Sequence, residues 1–477
     1  MDISIPQRIS VKAPPLRAKL APWMESVLLQ DWSGTKQWLE NHGSPLHLTV
    51  LSEFEKNIDL LKRPMLERGL EGELFFARKA NKLPWFVKRA GEKGIGVDTA
   101  SLTEVKETLA LGVPAEKIVV TAIGKTRALV ETAIKEGCLL VIDNEDEFNL
   151  IAGCAARVRK EARIGLRFAG FQTRERVIQS RFGFPIKDAR DLAKKVHKTE
   201  WLKLEVFHAH IDKYDPEERA AAAFQMIKVI DDLGEDEIEI KSLDLGGGIL
   251  INYLEDESQW DEYLKQLKAA VLGESPSFNL NQDGLGFYKE NGELKGEADL
   301  YPFFNKIPKE KFVASILDQV DPGDSKAEPL HTKLQERKLK ISFEPGRALL
   351  DNTGASLLEV AFRKFDTAGN ALVGVAANRM NLRPFRAEFC LDPLLLSRGG
   401  RDQLDKGAFI AGCLCSESDY IFKRRLNLPY MPEAGDIFLV PNTAGYLAHH
   451  MEIGTHGDPL PKNLLLDEKT LEVMDTN

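Results

Sequence analysis

Between residues 46 and 345, short apolar runs alternate with stretches in which apolar positions recur every three or four residues. The runs are Leu74–Lys79, Ile95–Val97, Ile118–Thr121, Leu139–Ile142, Arg163–Phe168, Leu204–His210, Ser242–Leu245 and Lys340–Glu344. Runs of this length predict strands, and the three-to-four period between them predicts helices. Ser52 opens one such helix, with Phe54, Ile58 and Leu61 on one face. Ser101-Leu102-Thr103-Glu104 has the form of a capping box, and Gly112 followed by Pro114 is a helix stop. Eight strands alternating with helices predict an α/β fold, a (β/α)8 TIM barrel over residues 46–345.

The flanking segments differ in texture. Residues 1–45 mix Pro14-Pro15, Trp23, Trp32 and Trp38 with helical pieces, an extension expected to pack on a later domain. After 345, short β-like runs (Ser356–Phe362, Ala371–Ala377, Ala408–Gly412, Ile437–Val440) are broken by Gly, Pro and Asn, which predicts a mainly antiparallel, barrel-like β domain over 346–477. One barrel connection is too long for a loop. It holds an insertion of about residues 253–338, with a helix near Trp260–Leu272 and an irregular stretch from Ser275 to Phe304. Following a barrel strand, it reads either as a lid on the catalytic face or as a surface excursion.

Composition narrows the class. In 477 residues, 64 basic against 73 acidic side chains give a net charge of −9, which argues against a general nucleic-acid binder. With no run of 18 apolar residues, no membrane span is expected. Met1 to Met24 lacks a continuous apolar core, so no secretory signal is expected. Five cysteines suit a reducing compartment and a cytoplasmic location. Cys413-Leu414-Cys415 lacks the spacing of a zinc site, and no metal is expected.

The ends of the predicted strands carry the chemistry. In order they present Lys79, Asp98, Arg167, His210, Gly246-Gly247-Gly248 and Glu344-Pro345-Gly346-Arg347. Alone, Lys79 reads as a solvated lysine at a strand end, and His210 as a core histidine. Three glycines after a strand let backbone N–H groups close on a phosphate. A lysine, a phosphate cradle, a stacking histidine and a carboxylate together describe a site for pyridoxal 5'-phosphate.

Six motifs in one order (Phe76-Ala77-Arg78-Lys79-Ala80-Asn81, Gly96-Val97-Asp98-Thr99-Ala100-Ser101, Leu243-Asp244-Leu245-Gly246-Gly247-Gly248, Glu344-Pro345-Gly346-Arg347, Gly412-Cys413-Leu414-Cys415 and Ala444-Gly445-Tyr446) carry a family resemblance. From about Gly43 to Met451 the chain resembles the pyridoxal-phosphate-dependent group III decarboxylases of the alanine-racemase fold, those of diaminopimelate, ornithine and arginine. The resemblance implies a lyase that removes the α-carboxylate of an amino acid or amino-acid conjugate through an external aldimine. It implies that Lys79 holds the cofactor as a Schiff base, that Glu344 faces the pyridine nitrogen, and that His210 stacks on the ring. Gly246, Gly247, Gly248, Gly346, Arg347 and Tyr446 are implied to hold the phosphate, with Asp98 and Arg167 as supports near the ring. A homodimer with shared sites is implied too, with Cys415 crossing into the neighbour's site as an acid.

The departures concern substrate. Asp212-Lys213 stands where the family has a glycine and serine that help bind phosphate. Ser416 stands where an acid grips a distal amine, with Glu417 one step later and Asp419 matching a downstream aspartate. The segment Val375–Pro384 lacks the family's acid and carries Arg379 and Arg383, with Arg386 close behind. Two readings stay open: a substrate with a distal carboxylate or a larger conjugate, or a shifted Glu417 that still binds an amine. Rival activities are a racemase, which would place arginine rather than Glu344 at the pyridine nitrogen, and a non-catalytic regulatory relative, against which Lys79, His210, Glu344 and Cys415 argue.

Overall fold

The computed structural model describes residues 13–29, 32–323, 326–384, 386–397 and 407–477. They form two compact units: one of residues 53–250 and 307–350, the other of residues up to 52, 251–306 and 351–477.

The first unit is a closed parallel barrel. Its strands are Gly72–Ala77, Gly96–Thr99, Ile118–Val120, Leu139–Ile142, Ala162–Ala169, Leu202–Ala209, Ser242–Asp244 and Lys340–Phe343, and each pairs in parallel with its neighbours. Leu139–Ile142 pairs with Ala162–Ala169 and Lys340–Phe343 with Gly72–Ala77, which closes the ring. All eight runs anticipated from the apolar pattern are present. They are legible because barrel strands are covered on both faces, so they read as continuous apolar runs. Phe75, Val119, Leu139, Val141 and Val206 form a buried cluster, each contributing roughly 1.5–3 kcal/mol by leaving water. The helices Glu310–Leu317 and Leu330–Glu336 pack with the helix Pro216–Gly234 in the outer layer.

The second unit is built on a mostly antiparallel sheet. Gly354–Phe365 pairs antiparallel with Leu46–Thr49, Ile437–Pro441 and Ala371–Val375. Lys462–Leu466 lies parallel to Leu46–Thr49. The helices Pro22–Leu29 and Trp32–His42 bring Trp23, Met24, Val27 and Leu39 into one core with Leu46, Leu357, Leu439 and Leu464.

Two boundaries differ from expectation. The strand Leu46–Thr49 belongs to the second unit, not to the barrel, because its backbone partners are Gly354–Leu357 and Lys462–Leu465. The expected insertion at 253–338 divides. Residues 307–350 stay with the barrel, whereas 251–306 join the second unit. There Tyr253, Tyr301, Phe303 and Phe389 pack ring against ring, and Leu280 N–H donates to the Lys423 carbonyl at 2.6 Å. Among the described residues no helix is long and apolar enough to cross a membrane.

Candidate active site

The barrel gathers its polar side chains at the C-terminal ends of its strands. Gly72–Ala77 runs straight into one tight helical turn, Arg78–Ala80, that carries Lys79. Arg78 turns away: its buried guanidinium donates to the Glu104 carbonyl at 2.8 Å and to Thr108 at 3.2 Å, and pairs with Glu107. Asn81 accepts from Leu83 N–H at 2.9 Å and fixes the exit from the turn. Between these anchors the Lys79 ammonium lies 3.4 Å from Asp98 Oδ2. Asp98 is fully buried on the neighbouring strand and accepts from the Thr121 hydroxyl at 2.5 Å. Burial, and then the charge of Glu344, pushes its carboxyl up to about 6, against the opposing pull of Lys79.

Glu344 closes the last strand. Its Oε1 lies 3.2 Å from His208 Nε2, and both side chains are buried. Asp244 shares the site, with one ligand atom each from His208, Asp244 and Glu344 within 4.8 Å of one another. Burial and mutual repulsion push Asp244 well up, and burial raises Glu344. Three buried carboxyls around one lysine are under-compensated by their own surroundings, so a cationic N–H entering here is stabilised. His208 and His210 are held in the neutral form, His210 down to about 3, by burial and then by the cations nearby. His210 also meets the Phe182 ring edge-on at 5.6 Å. Arg167 pairs with Asp143 at 3.2 Å and donates to the Thr121 carbonyl, tying two strand ends together.

The glycine turn is a tight cradle. Gly246 and Gly248 have φ of +66° and +77°. A Cβ on Gly246 would lie 2.9 Å from the Ala209 carbonyl oxygen, and one on Gly247 would lie 2.7 Å from the Glu344 carbonyl oxygen. Asp244 Oδ1 accepts from Gly246 N–H at 2.8 Å, which sets the turn. Gly346 and Arg347 open the turn after Glu344, where their carbonyls accept from Leu349 and Leu350. Pyridoxal 5'-phosphate fits this donor set: an amine for its aldehyde, a carboxylate for its ring nitrogen, a neutral imidazole for its face, and glycine N–H groups for its phosphate.

The barrel thus brings together Lys79, Asp98, Arg167, His210, Gly246, Gly247, Gly248, Glu344, Gly346 and Arg347. The second unit holds the other sequence-predicted residues. Arg379, Arg383 and Glu417 line a cavity of about 330 Å3 together with Leu280, Asp283, Glu388 and Lys423. Arg379 donates to the Ser418 carbonyl at 3.2 Å, and Lys423 pairs with Asp283 at 2.7 Å. Glu388 is buried, with Oε1 unpartnered among the described residues, and burial pushes its carboxyl up to about 8. Asp419 is occupied otherwise, its carboxylate accepting from Arg379 and Leu414 N–H, each at 2.8 Å. It shapes the loops that present Arg379 and Ser416. Cys415, Ser416 and Glu417 are exposed. Arg386 lies 3.6 Å from Asp299. Tyr446 sits at φ +61°, an uncommon backbone state for a bulky residue and a frequent mark of a functional position. Sequence reasoning gave no role to His208, Asp244, Arg219 or Glu388. His208 and Glu388 acquire their meaning from segments far along the chain.

Comparison with known proteins agrees with this geometry. Residues 51–283 match the family described as pyridoxal-dependent decarboxylase, pyridoxal binding domain. An uncharacterized protein of Sinorhizobium fredii, y4yA, is 27% identical over 471 residues, 97% of this chain and 95% of its own. A diaminopimelate decarboxylase of Aquifex aeolicus is 25% identical over 84% of this chain and 81% of its own. The crystal structure of diaminopimelate decarboxylase from Helicobacter pylori, complexed with L-lysine, superposes with a TM-score of 0.68 at 20% identity, over 91% of this chain and 94% of that one. Barrel, cradle and family match converge: over residues 51–283 this chain is similar to the pyridoxal binding domain of the pyridoxal-dependent decarboxylases.

Proposed function

We propose that the chain is a working amino-acid decarboxylase whose substrate carries a distal carboxylate or is a larger conjugate of an amino acid. The observation that carries the first part is the gathering of Lys79, Asp98, His210 and Glu344 at the strand ends of the barrel, with Asp98 and Glu344 buried beneath an accessible Lys79. Bound pyridoxal phosphate supplies an electron sink for the pair left when the α-carboxylate departs. The side chains do the rest. Lys79 is the amine that would hold the cofactor through its aldehyde. Glu344, backed by His208, would accept the ring N–H and favour a proton on the pyridine nitrogen. Asp98, 3.4 Å from the Lys79 amine, would orient it when it is free. His210, neutral, covers a ring face without adding charge. Arg347 and Tyr446 complete the phosphate contacts that the resemblance implies.

The substrate reading is supported by the cavity in the second unit. Arg379 and Arg383 favour an anion, and Glu388, proton-bearing at neutral pH, donates rather than repels. An acid in the position of Ser416 would have favoured a distal ammonium instead. Exposed Cys415 suits an acid that reaches a second copy's site, so the working form is a homodimer. Five free thiols suit the cytoplasm.

The test is product mass spectrometry and carbon dioxide release across cationic, neutral and acidic amino acids and their conjugates. Visible cofactor absorbance that Lys79→Ala removes is expected, with turnover confined to acidic or conjugated substrates. Fast turnover of ornithine or diaminopimelate overturns the substrate reading. Loss of α-proton without carbon dioxide overturns the reaction.

A further inference from the structure

Arg219 is among the largest fully buried side chains of the molecule, yet no carboxylate pairs with it among the described residues. It lies in the first turns of the helix Pro216–Gly234, and helical side chains lean toward the N-terminus. There its guanidinium lies over the Phe312 ring, 5.2 Å from the centroid, and among the described residues it donates its hydrogen bonds to backbone carbonyls. Nη1 donates to Lys213 at 2.6 Å and to Asp215 at 3.2 Å. Nη2 donates to Ile211 and Gly247, both at 3.0 Å, with Gly248 at 3.5 Å. One rigid fork therefore ties the loop after His210 to the triple-glycine turn.

The peptide unit is planar and trans, so C=O and the following N–H point in opposite directions. Carbonyls of Ile211, Gly247 and Gly248 drawn to the guanidinium aim the N–H groups of Asp212, Gly248 and Ile249 the other way, as a nest of donors. A buried positive charge also stands behind that nest. Glycine is required at 248, since a Cβ would lie 2.3 Å from Arg219 Nη2.

We propose that Arg219 is the positioning residue of the phosphate cradle, and that it makes up for the phosphate contact missing at Asp212-Lys213. It acts through the backbone and does not itself touch the cofactor. The proposal rests on the pyridoxal-phosphate reading of the site.

Titration of the cofactor-free protein with pyridoxal 5'-phosphate and with pyridoxal, which lacks the phosphate, tests it. Arg219→Met is expected to weaken the phosphorylated ligand about tenfold or more and pyridoxal no more than about twofold. Arg219→Lys, with a point charge but no fork, is expected to fall between. Inorganic phosphate is expected to raise the melting temperature of the cofactor-free wild type and to do so less in Arg219→Lys, a readout that holds if Arg219→Met does not fold. Equal weakening of both ligands overturns the proposal in favour of a purely structural arginine, and so does unchanged affinity for the phosphorylated one. Failure of wild type to bind either ligand overturns the cofactor reading itself.

Discussion

Burial decides the behaviour of single residues in this chain, and Glu388 shows it most directly. Its carboxyl is buried and pushed up to about 8 by desolvation, against the pull of the nearby Lys423 N–H and Arg424. The native state therefore holds a proton that the unfolded chain gives up near the ordinary carboxylate value. Between those two values the native state binds more protons, so this group's contribution makes stability fall as pH rises. Glu388→Gln keeps the shape and removes the titration. Relative to wild type, the variant should gain in urea midpoint between pH 5 and pH 8.5, a window of roughly the span between the two carboxyl values. A constant difference across that window would mean that Glu388 is ionised in the folded protein. The sequence offered no hint of this. Glu388 sits among Phe385-Arg386-Ala387 and Phe389 with no motif around it, and its environment is supplied by Leu280–Asp283 and Tyr420–Lys423, remote in sequence.

At the scale of elements, the triple glycine turn is where sequence and structure agree best. Its place after a strand was readable because glycine runs have few other uses there. What could not be read is why each glycine is needed. Gly247 does not have positive φ. Its constraint is the Glu344 carbonyl oxygen 2.7 Å from where a Cβ would stand, and Glu344 follows directly on a barrel strand and is tied by its own N–H to the Gly246 carbonyl at 2.8 Å, which leaves it little freedom to yield. Gly247→Ala is accordingly expected to cost about 1–3 kcal/mol by overpacking. It should also shift Glu344, and so weaken cofactor binding. Gly94, exposed at φ +66° with nothing within 4 Å of a Cβ, serves as the control: Gly94→Ala strains its turn but should leave cofactor affinity alone. Denaturant titration and cofactor binding measured on both variants separate the two effects. Equal cofactor affinity in Gly247→Ala and wild type would refute the coupling to Glu344. The strand-end carboxyls follow the same logic. Asp98, Asp244 and Glu344 stood out in sequence as members of motifs, but His208 did not, because its hydrogen bonding to Glu344 across 136 positions leaves no local pattern.

At the scale of the whole molecule, chain order and structural membership part company. The barrel was legible from its period, whereas the membership of residues 46–49 and 251–306 was not, since strand pairing and aromatic packing are settled by distant segments. The second unit draws its core from both ends of the chain. Trp23 is 2% exposed, donates its indole N–H to the Asn352 carbonyl at 2.9 Å, and packs in the cluster of Leu46, Leu357, Leu439 and Leu464. Replacing it with alanine should cost about 3–5 kcal/mol. The cost belongs to a core that includes no barrel strand, and opening follows cooperative units rather than chain neighbourhood. Amide exchange in Trp23→Ala should therefore speed up in Leu46–Thr49, Gly354–Phe365, Ile437–Pro441 and Lys462–Leu466 while the barrel strands Leu139–Ile142 and Ala162–Ala169 keep their protection. Residues 53–71 and 72–77, although closer in sequence to Trp23 than any strand of its own core but one, should behave like the rest of the barrel. If protection falls by the same factor in both units, the chain opens as one cooperative body, and the mixed chain order of its cores has no energetic consequence.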